Sequence, residues 1–437
     1  MNRSLRINIA AGAIGMFWLV VPLGAPLPLL MQSVAASATQ LGILSAVWQI
    51  ATLAQIPAAF IAESMPQRKP LWAVTSILHR ILWATPAALP LLFPHNRELW
   101  PVVLIFALGL SNILANLGTA SWLSWMADIV PPESAGRFWS IRQVILSISM
   151  IIATALYGWI LDSFGNTDTP FRGFQWVFLL CSLTGVLDIV LHCFVTEPAH
   201  KRPAVSIPWK TRFAKPFENR GFTILTTALA AWIGAQAFLG YTIGVPGFFS
   251  MVHLRETFGA SYSQASLIFI TACLGAVLFT PWLGRWIDKA GAQNVLIRLV
   301  FLGPISMAPW CFIQPGSVQL GPFTCPSAVL WISLAALFQG PIYTGTLLCQ
   351  YRLIQVYTRP EGRTMAMALH SSIVGLGGAI AAVGAGFLKD LIPPESLTRL
   401  PGHFYSFDLL VLLHAMLAYG AVFPLTRALQ NEPPPES

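Results

Sequence analysis

Mostly uncharged apolar runs of roughly 20 residues recur from one end of the chain to the other, and one α-helix of that length crosses a hydrocarbon core about 30 Å thick. Twelve such runs are read at 7–30, 40–62, 70–93, 100–126, 138–161, 173–195, 221–249, 263–287, 294–313, 326–350, 364–388 and 405–427. They are continuously apolar, whereas the strands of a membrane barrel alternate over about 10 residues, so helices are expected. With 55% hydrophobic and only 10% charged residues, a water-soluble fold would have to leave much of this surface exposed. The expected fold class is an all-α, multi-pass membrane protein in contact with the lipid bilayer.

Charge placement sets an expected topology. With a cytoplasmic N-terminus, nineteen of the 25 Lys and Arg fall in inner segments, among them Arg3, Arg6, Arg142, Lys210 and Arg298. Five (Arg97, Arg172, Arg255, Lys389 and Arg399) fall outside, and Arg80 lies within the third run. This bias places both termini in the cytoplasm, with the cell inner membrane as the location. The net charge of +8 is thereby a topology signal, and no nucleic-acid partner is expected. The first run is too long for the core of an ordinary cleaved signal peptide. Four cysteines (Cys181, Cys193, Cys273 and Cys349) fall in spans, where packing is expected, while Cys311 and Cys325 flank an outer loop without evidence of a bridge.

The chain divides into residues 1–195, a Lys-, Arg- and Pro-rich linker at 196–220, residues 221–430 and a short tail at 431–437. Features of the first part recur 224 to 227 residues later. Glu63, followed by Arg68 and Lys69, corresponds to Asp288 and Lys289. Arg137 in Pro132-Glu133-Ser134-Ala135-Gly136-Arg137 corresponds to Arg363 in Pro360-Glu361-Gly362-Arg363, and Val21-Pro22 to Val245-Pro246. Recurrence at nearly one offset indicates a duplicated six-plus-six architecture, a transporter signature in membranes.

The run Gly284-Arg285-Trp286-Ile287-Asp288-Lys289-Ala290-Gly291 resembles the cytoplasmic loop motif of major facilitator superfamily transporters. The final basic pair is replaced by Ala292 and Gln293, and the first-half copy is eroded around Glu63 and Pro66. Trp122 to Pro131, with Gly136, Arg137 and Arg142 after it, resembles the segment between the fourth and fifth helices of many bacterial members. The resemblance covers the whole chain and implies two six-helix bundles related by pseudo-two-fold symmetry. These would rock about a central solute site lined by the first, fourth, seventh and tenth helices. It also implies gating roles for Glu63, Asp288, Lys289, Asp128, Arg137 and Arg363, through charge pairs formed in one conformation only.

On those implied cavity helices, Asn112 and Asn116 share a face at i, i+4, as do Gln339 and Tyr343, and each pair lies 227 residues from its counterpart. The expected substrate site adds Gln236, Tyr241, Gln49 and His370, with Trp18, Trp48 and Trp232 as further lining. Helix-to-helix hydrogen bonding is the competing role for these amides. Ionisable residues within spans are costly and need partners. His79, His192 and His414 are expected as packed, hydrogen-bonded side chains, and Asp188 is offered as a partner for Arg80. No Asp or Glu lies inside the first, fourth, seventh or tenth span, so a neutral polar solute such as a sugar, nucleoside or similar metabolite is expected. Coupling to a proton or another ion, through His370 or Asp188, is left open. A drug or metabolite exporter of the same fold, a transporter-like receptor and a membrane enzyme stay open as alternatives. No phosphate loop, nucleophile elbow or metal-ligand spacing supports catalysis, so no enzyme activity, cofactor or metal is expected, and a monomer is.

The charge bias makes a direct prediction. Cysteines placed at Arg172 and Lys210 and labelled from outside intact cells should react at 172 and stay silent at 210; the reverse pattern would invert the topology.

Overall fold

The structure, a computed structural model, describes residues 3–65, 67–130, 135–165, 167–198, 209–240, 248–321, 323–358, 363–392 and 405–431. It is all-α apart from one short hairpin, β1 (Ser317–Leu320) antiparallel to β2 (Phe323–Pro326). Eleven helices among the described residues are long and apolar enough to cross a membrane. Large hydrophobic side chains such as Leu91, Phe106 and Ile380 are at least three-quarters exposed. That pattern suits lipid as the surrounding solvent better than water.

The run expected at 70–93 is broken. It forms α5 (Lys69–Leu82) and α6 (Thr85–Leu92), separated by a tight turn at Trp83 and Ala84. The reason is local: Pro86 has no N–H to offer the carbonyl one turn earlier. The Thr85 hydroxyl instead donates to the Leu82 carbonyl at 2.7 Å, while Trp83 and Ala84 close short bonds to Arg80 and Ile81.

The chain forms two compact units, one comprising Met1–Ala35 and Ala51–Ser206, the other Ala36–Ile50 and Ile207–Ser437. The first holds α1 (Arg3–Leu23), α2 (Pro26–Ser33), α4 (Gln55–Ser64), α5, α6, α7 (Trp100–Ile129), α8 (Ala135–Gly165) and α9 (Phe171–His192). Its densest packing is α1 on α9 and α8, and α5 on α7. Trp72 of α5 and Trp125 of α7 meet edge to face at 5.5 Å, over Ile189 of α9.

The second unit holds α3 (Ala38–Ile50), α10 (Trp209–Ala214), α11 (Arg220–Phe238), α12 (Phe248–Phe258), α13 (Tyr262–Ala290), α14 (Ala292–Met307), α15 (Ser327–Tyr357), α16 (Arg363–Leu391), α17 (Ser406–Leu417) and α18 (Phe423–Ala428). Its core joins Phe222, Leu225 and Trp232 of α11 to Leu283, Leu296, Leu299 and Leu353. Gly291, the last glycine of the loop motif, ends α13 at φ +81°, a conformation other side chains rarely adopt.

Helices α13 and α15 touch backbone to backbone. A Cβ on Gly275 would run into the Leu337 carbonyl oxygen, and one on Gly340 into that of Ala272. Such closeness is a common route to tight association where lipid removes the hydrophobic drive between helices. Gly340→Val should therefore destabilise the protein by about 1–3 kcal/mol or more. Gly384→Ala, with open space around it, should leave the melting temperature unchanged or slightly raised. Thermal melts of the two purified variants compare them directly.

Candidate functional site

Within the first unit, polar residues on α1, α5, α7, α8 and α9 border a cavity of about 260 Å³. Arg80 of α5 lies flat on Trp18 of α1, its guanidinium carbon 3.4 Å from the ring centre. Its Nη2 donates to Asp188 of α9 at 3.4 Å, and its Nη1 donates to His79 Nε2 at 3.2 Å. Two glycines make the room: a Cβ on Gly15 would stand 2.5 Å from the Asp188 carboxylate, and one on Gly185 would stand 2.6 Å from the Arg80 stem.

The other Asp188 oxygen lies 2.9 Å from His192 Nδ1. His192 Nε2 faces the Asn8 amide nitrogen at 3.2 Å, and the Asn8 oxygen accepts from Arg142 Nε at 2.9 Å. At the far end, His79 Nδ1 is 2.8 Å from the Ser111 carbonyl oxygen. One chain of hydrogen bonds thus runs from Ser111 through His79, Arg80, Asp188, His192 and Asn8 to Arg142. A buried arrangement of this kind is tolerable because Arg80 meets the opposite charge of Asp188 and Arg142 donates to the Asn8 oxygen.

The expected solute-site residues fall into separate groups. In the first unit, Asn112 is buried and donates to the Leu108 carbonyl at 2.8 Å. Asn116 donates to the Asn112 carbonyl at 2.9 Å and accepts from Gln55 Nε2 at 2.7 Å. In the second unit, Gln236, Gln339 and Tyr343 converge on one cavity of about 10 Å³. Gln339 Nε2 donates to the Ser306 carbonyl at 2.9 Å, and the buried Gln236 carbonyl oxygen has no hydrogen-bond partner. Gln49 on α3 packs its amide against Gly378 of α16.

His370 is fully buried, with Nδ1 2.9 Å from the Thr226 hydroxyl. His414 is equally buried, its ring 6.0 Å from Trp232. Tyr241 and the side chains of Glu63, Asp128 and Arg137 lie outside the described residues. Asp288 and Lys289 are exposed at the end of α13, while Arg363 donates to the carbonyls of Gln355 and Thr358 at the end of α15.

Asn8 and the ligating role of Arg142 escaped the sequence reading, although an Asn in the first span, with Gly12 and Gly15 beyond it, was a signal. Gly12 leaves 3.1 Å between its would-be Cβ and the Arg142 guanidinium.

Membrane-length helices in two units, with ionisable side chains held inside the first, define a polytopic helical membrane protein. The sequence model of the Major Facilitator Superfamily matches residues 7–382 and 238–436, and the chain belongs to that family. It is similar to the multidrug resistance protein MdtH of Salmonella arizonae, 23% identical over 318 residues, which make up 69% of this chain and 67% of that protein. It is also similar to protein PucC of Cereibacter sphaeroides, 22% identical over 300 residues, 64% of this chain and 57% of that protein. Among solved structures, the nucleoside transporter NupG matches with a TM-score of 0.65 at 14% identity, covering 99% of both chains. A D-xylose-proton symporter matches at 0.63 and 15% identity, over 97% of this chain and 98% of that one. Identities this low show a shared fold.

The buried ion pair is testable by removing one partner at a time. Arg80→Met strands the Asp188 charge and should destabilise the protein by about 3–5 kcal/mol. Adding Asp188→Asn to it removes that charge and should restore most of the lost melting temperature in detergent.

Proposed function

We propose that this transporter moves a small, neutral polar solute of sugar or nucleoside size by alternating access. The observation that carries the reading is the convergence of Gln236, Gln339 and Tyr343 on one buried cavity, with the Gln236 carbonyl oxygen left without a partner. An unsatisfied buried acceptor is costly unless a ligand or water completes it. At about 10 Å³ the cavity has room for roughly one water. The conformation described is therefore closed around this group, and a solute requires the helices to part. In the other unit Asn112, Asn116 and Gln55 supply a second set of amides, which donate and accept as hydroxyl-rich ligands require.

The chain shares its fold with a nucleoside transporter and a D-xylose-proton symporter, whose named solutes are of this class. His370 and Gln49 extend the proposed site, as does Tyr241. Asp288 and Lys289, with Glu63, Asp128, Arg137 and Arg363, are proposed as the cytoplasmic gate, in a protein inserted in the cell inner membrane with both termini inside.

A second reading, export of apolar compounds, draws on the likeness to MdtH and on an apolar groove of about 430 Å³ lined by Trp282, Trp286 and Phe338. Uptake of uridine and of D-xylose into proteoliposomes separates the two, since a lipophilic dye moving in place of both favours export. For whichever probe is carried, Asn116→Ala and Tyr343→Phe should each weaken binding several-fold, on the order of 1 kcal/mol per lost hydrogen bond, with little change in melting temperature. Loss of stability with affinity retained would make these residues packing contacts.

A further inference from the structure

The network in the first unit serves no part of the solute site just proposed, yet the direction of each of its hydrogen bonds is determined. Arg142 Nε can only donate, so the Asn8 atom 2.9 Å from it is the amide oxygen. The other end of that amide is therefore the NH₂ group, which faces His192 Nε2 at 3.2 Å and Met126 Sδ at 3.0 Å. A donor at that position needs a lone pair on Nε2, which leaves the ring proton on Nδ1, donated to Asp188 Oδ1 at 2.9 Å. The same logic applies at His79: Arg80 donates to Nε2, so Nδ1 carries the proton toward the Ser111 carbonyl. One protonation state satisfies all of these bonds, with Asp188 ionised and both histidines neutral.

A further proton on His192 has one position available, Nε2, where it meets the Asn8 NH₂ group. Two donors repel, and the amide relieves this by turning over to offer its oxygen to the new N–H. The NH₂ group then stands against Arg142 Nε–H, again donor against donor, and the bond from α8 to α1 is lost. We propose that Asn8, His192 and Asp188 form a proton-binding switch, in which protonation of His192 turns the Asn8 amide and releases Arg142 of α8 from α1.

The proton is a hydronium proton of the bulk solvent, reaching His192 by way of the cavity bordered by Arg142, Asp188 and His192, and it returns to bulk solvent when the amide turns back. No other covalent bond changes. The titratable and charged groups that border the cavity together with the pair are Arg80 and His79 from α5 and Arg142 from α8. The described α7 side chains that reach it, Trp122 and Met126, are uncharged, and Arg3 and Arg6 of α1 are exposed. Asp188 holds Arg80 through its second oxygen, so the new imidazolium shares its counter-charge and α5 takes part in the change. As a means of coupling proton movement to transport, the switch rests on the transporter reading above; as a proton-binding group it does not.

The test uses the full chain in lipid, labelled with ¹⁵N at histidine and at arginine Nε, with protons as the only ligand. His192→Gln and Arg142→Lys identify the two signals. The expected spectrum shows His192 as the neutral Nδ1–H tautomer at high pH. On titration between about pH 9 and about pH 5, its conversion to imidazolium should coincide with loss of hydrogen-exchange protection at Arg142 Nε. Asn8→Ala removes the opposing donor and should raise the midpoint of His192 by about one pH unit, a tenfold gain in proton affinity. Asn8→Ser, whose hydroxyl can turn to accept, should act in the same direction and serves if the alanine variant fails to fold. A His192 that is imidazolium throughout, or one that titrates with no change at Arg142 or none on Asn8 substitution, would overturn the proposal. Because no solute enters the measurement, a protein that titrates this way but carries neither uridine nor D-xylose would refute that solute class and leave the switch standing.

Discussion

A positive charge buried among apolar helices is costly unless something of opposite charge reaches it, and the pairing of Arg80 with Asp188 organises the first unit around that requirement. The pair joins α5 to α9, and Trp18 covers the guanidinium from α1. Its consequences extend into the backbone. Glycine at 15 and 185 makes the room, because a Cβ there would stand 2.5 Å from the carboxylate or 2.6 Å from the arginine stem and would force one of them to shift. It extends outward too, since the second carboxylate oxygen orients His192, which orients Asn8, which holds Arg142.

Carboxylates placed at helix N-termini give both units a further kind of tie. Glu197 accepts from the backbone N–H groups of Arg68 and Lys69 where α5 begins, and its carboxylate lies 3.6 Å from Arg68 Nε. In the second unit Asp390, near the end of α16, accepts from the N–H groups of Ala38 and Thr39 at the start of α3. Each satisfies donors that the helix itself leaves unpaired and sits at the positive end of the helix dipole. The Asp390 contact, with Gly42 and Gly386 allowing α3 and α16 to approach closely, explains why Ala36–Ile50 groups with the second unit.

The two polar systems differ in how they accommodate change. The amide group around Gln236, Gln339 and Tyr343 keeps an acceptor unfilled beside a small cavity. The histidine–aspartate chain has each of its traced bonds filled in one direction, so an added proton must displace something. An unfilled site suits recognition, whereas a fully directed one suits switching.

Much of this was legible in the chain. Run length indicated membrane-spanning helices, although the twelve runs give eleven helices of that length among the described residues. The loop glycine at 291, the amides at 112 and 116 and the Gln339–Tyr343 pair could be read from spacing. Arg80 and Asp188 stood out because ionisable residues inside spans demand partners. The interruption at Trp83 and Ala84 was signalled by Pro86 but hidden in an apolar run, because hydropathy does not register a missing N–H. The roles of Asn8 and Arg142 were invisible for a different reason. Each lies near the end of a span, where polar residues are ordinary, and only when α1, α8 and α9 come side by side does the Asn8 amide find a donor on one side and a lone pair on the other. Periodicity and composition act along one helix at a time, so the sequence by itself determined that helices form and which of them carry polar atoms. The partner of each polar atom depends on helices more than a hundred residues apart, as Asn8 and His192 are, and that was decided by tertiary packing alone.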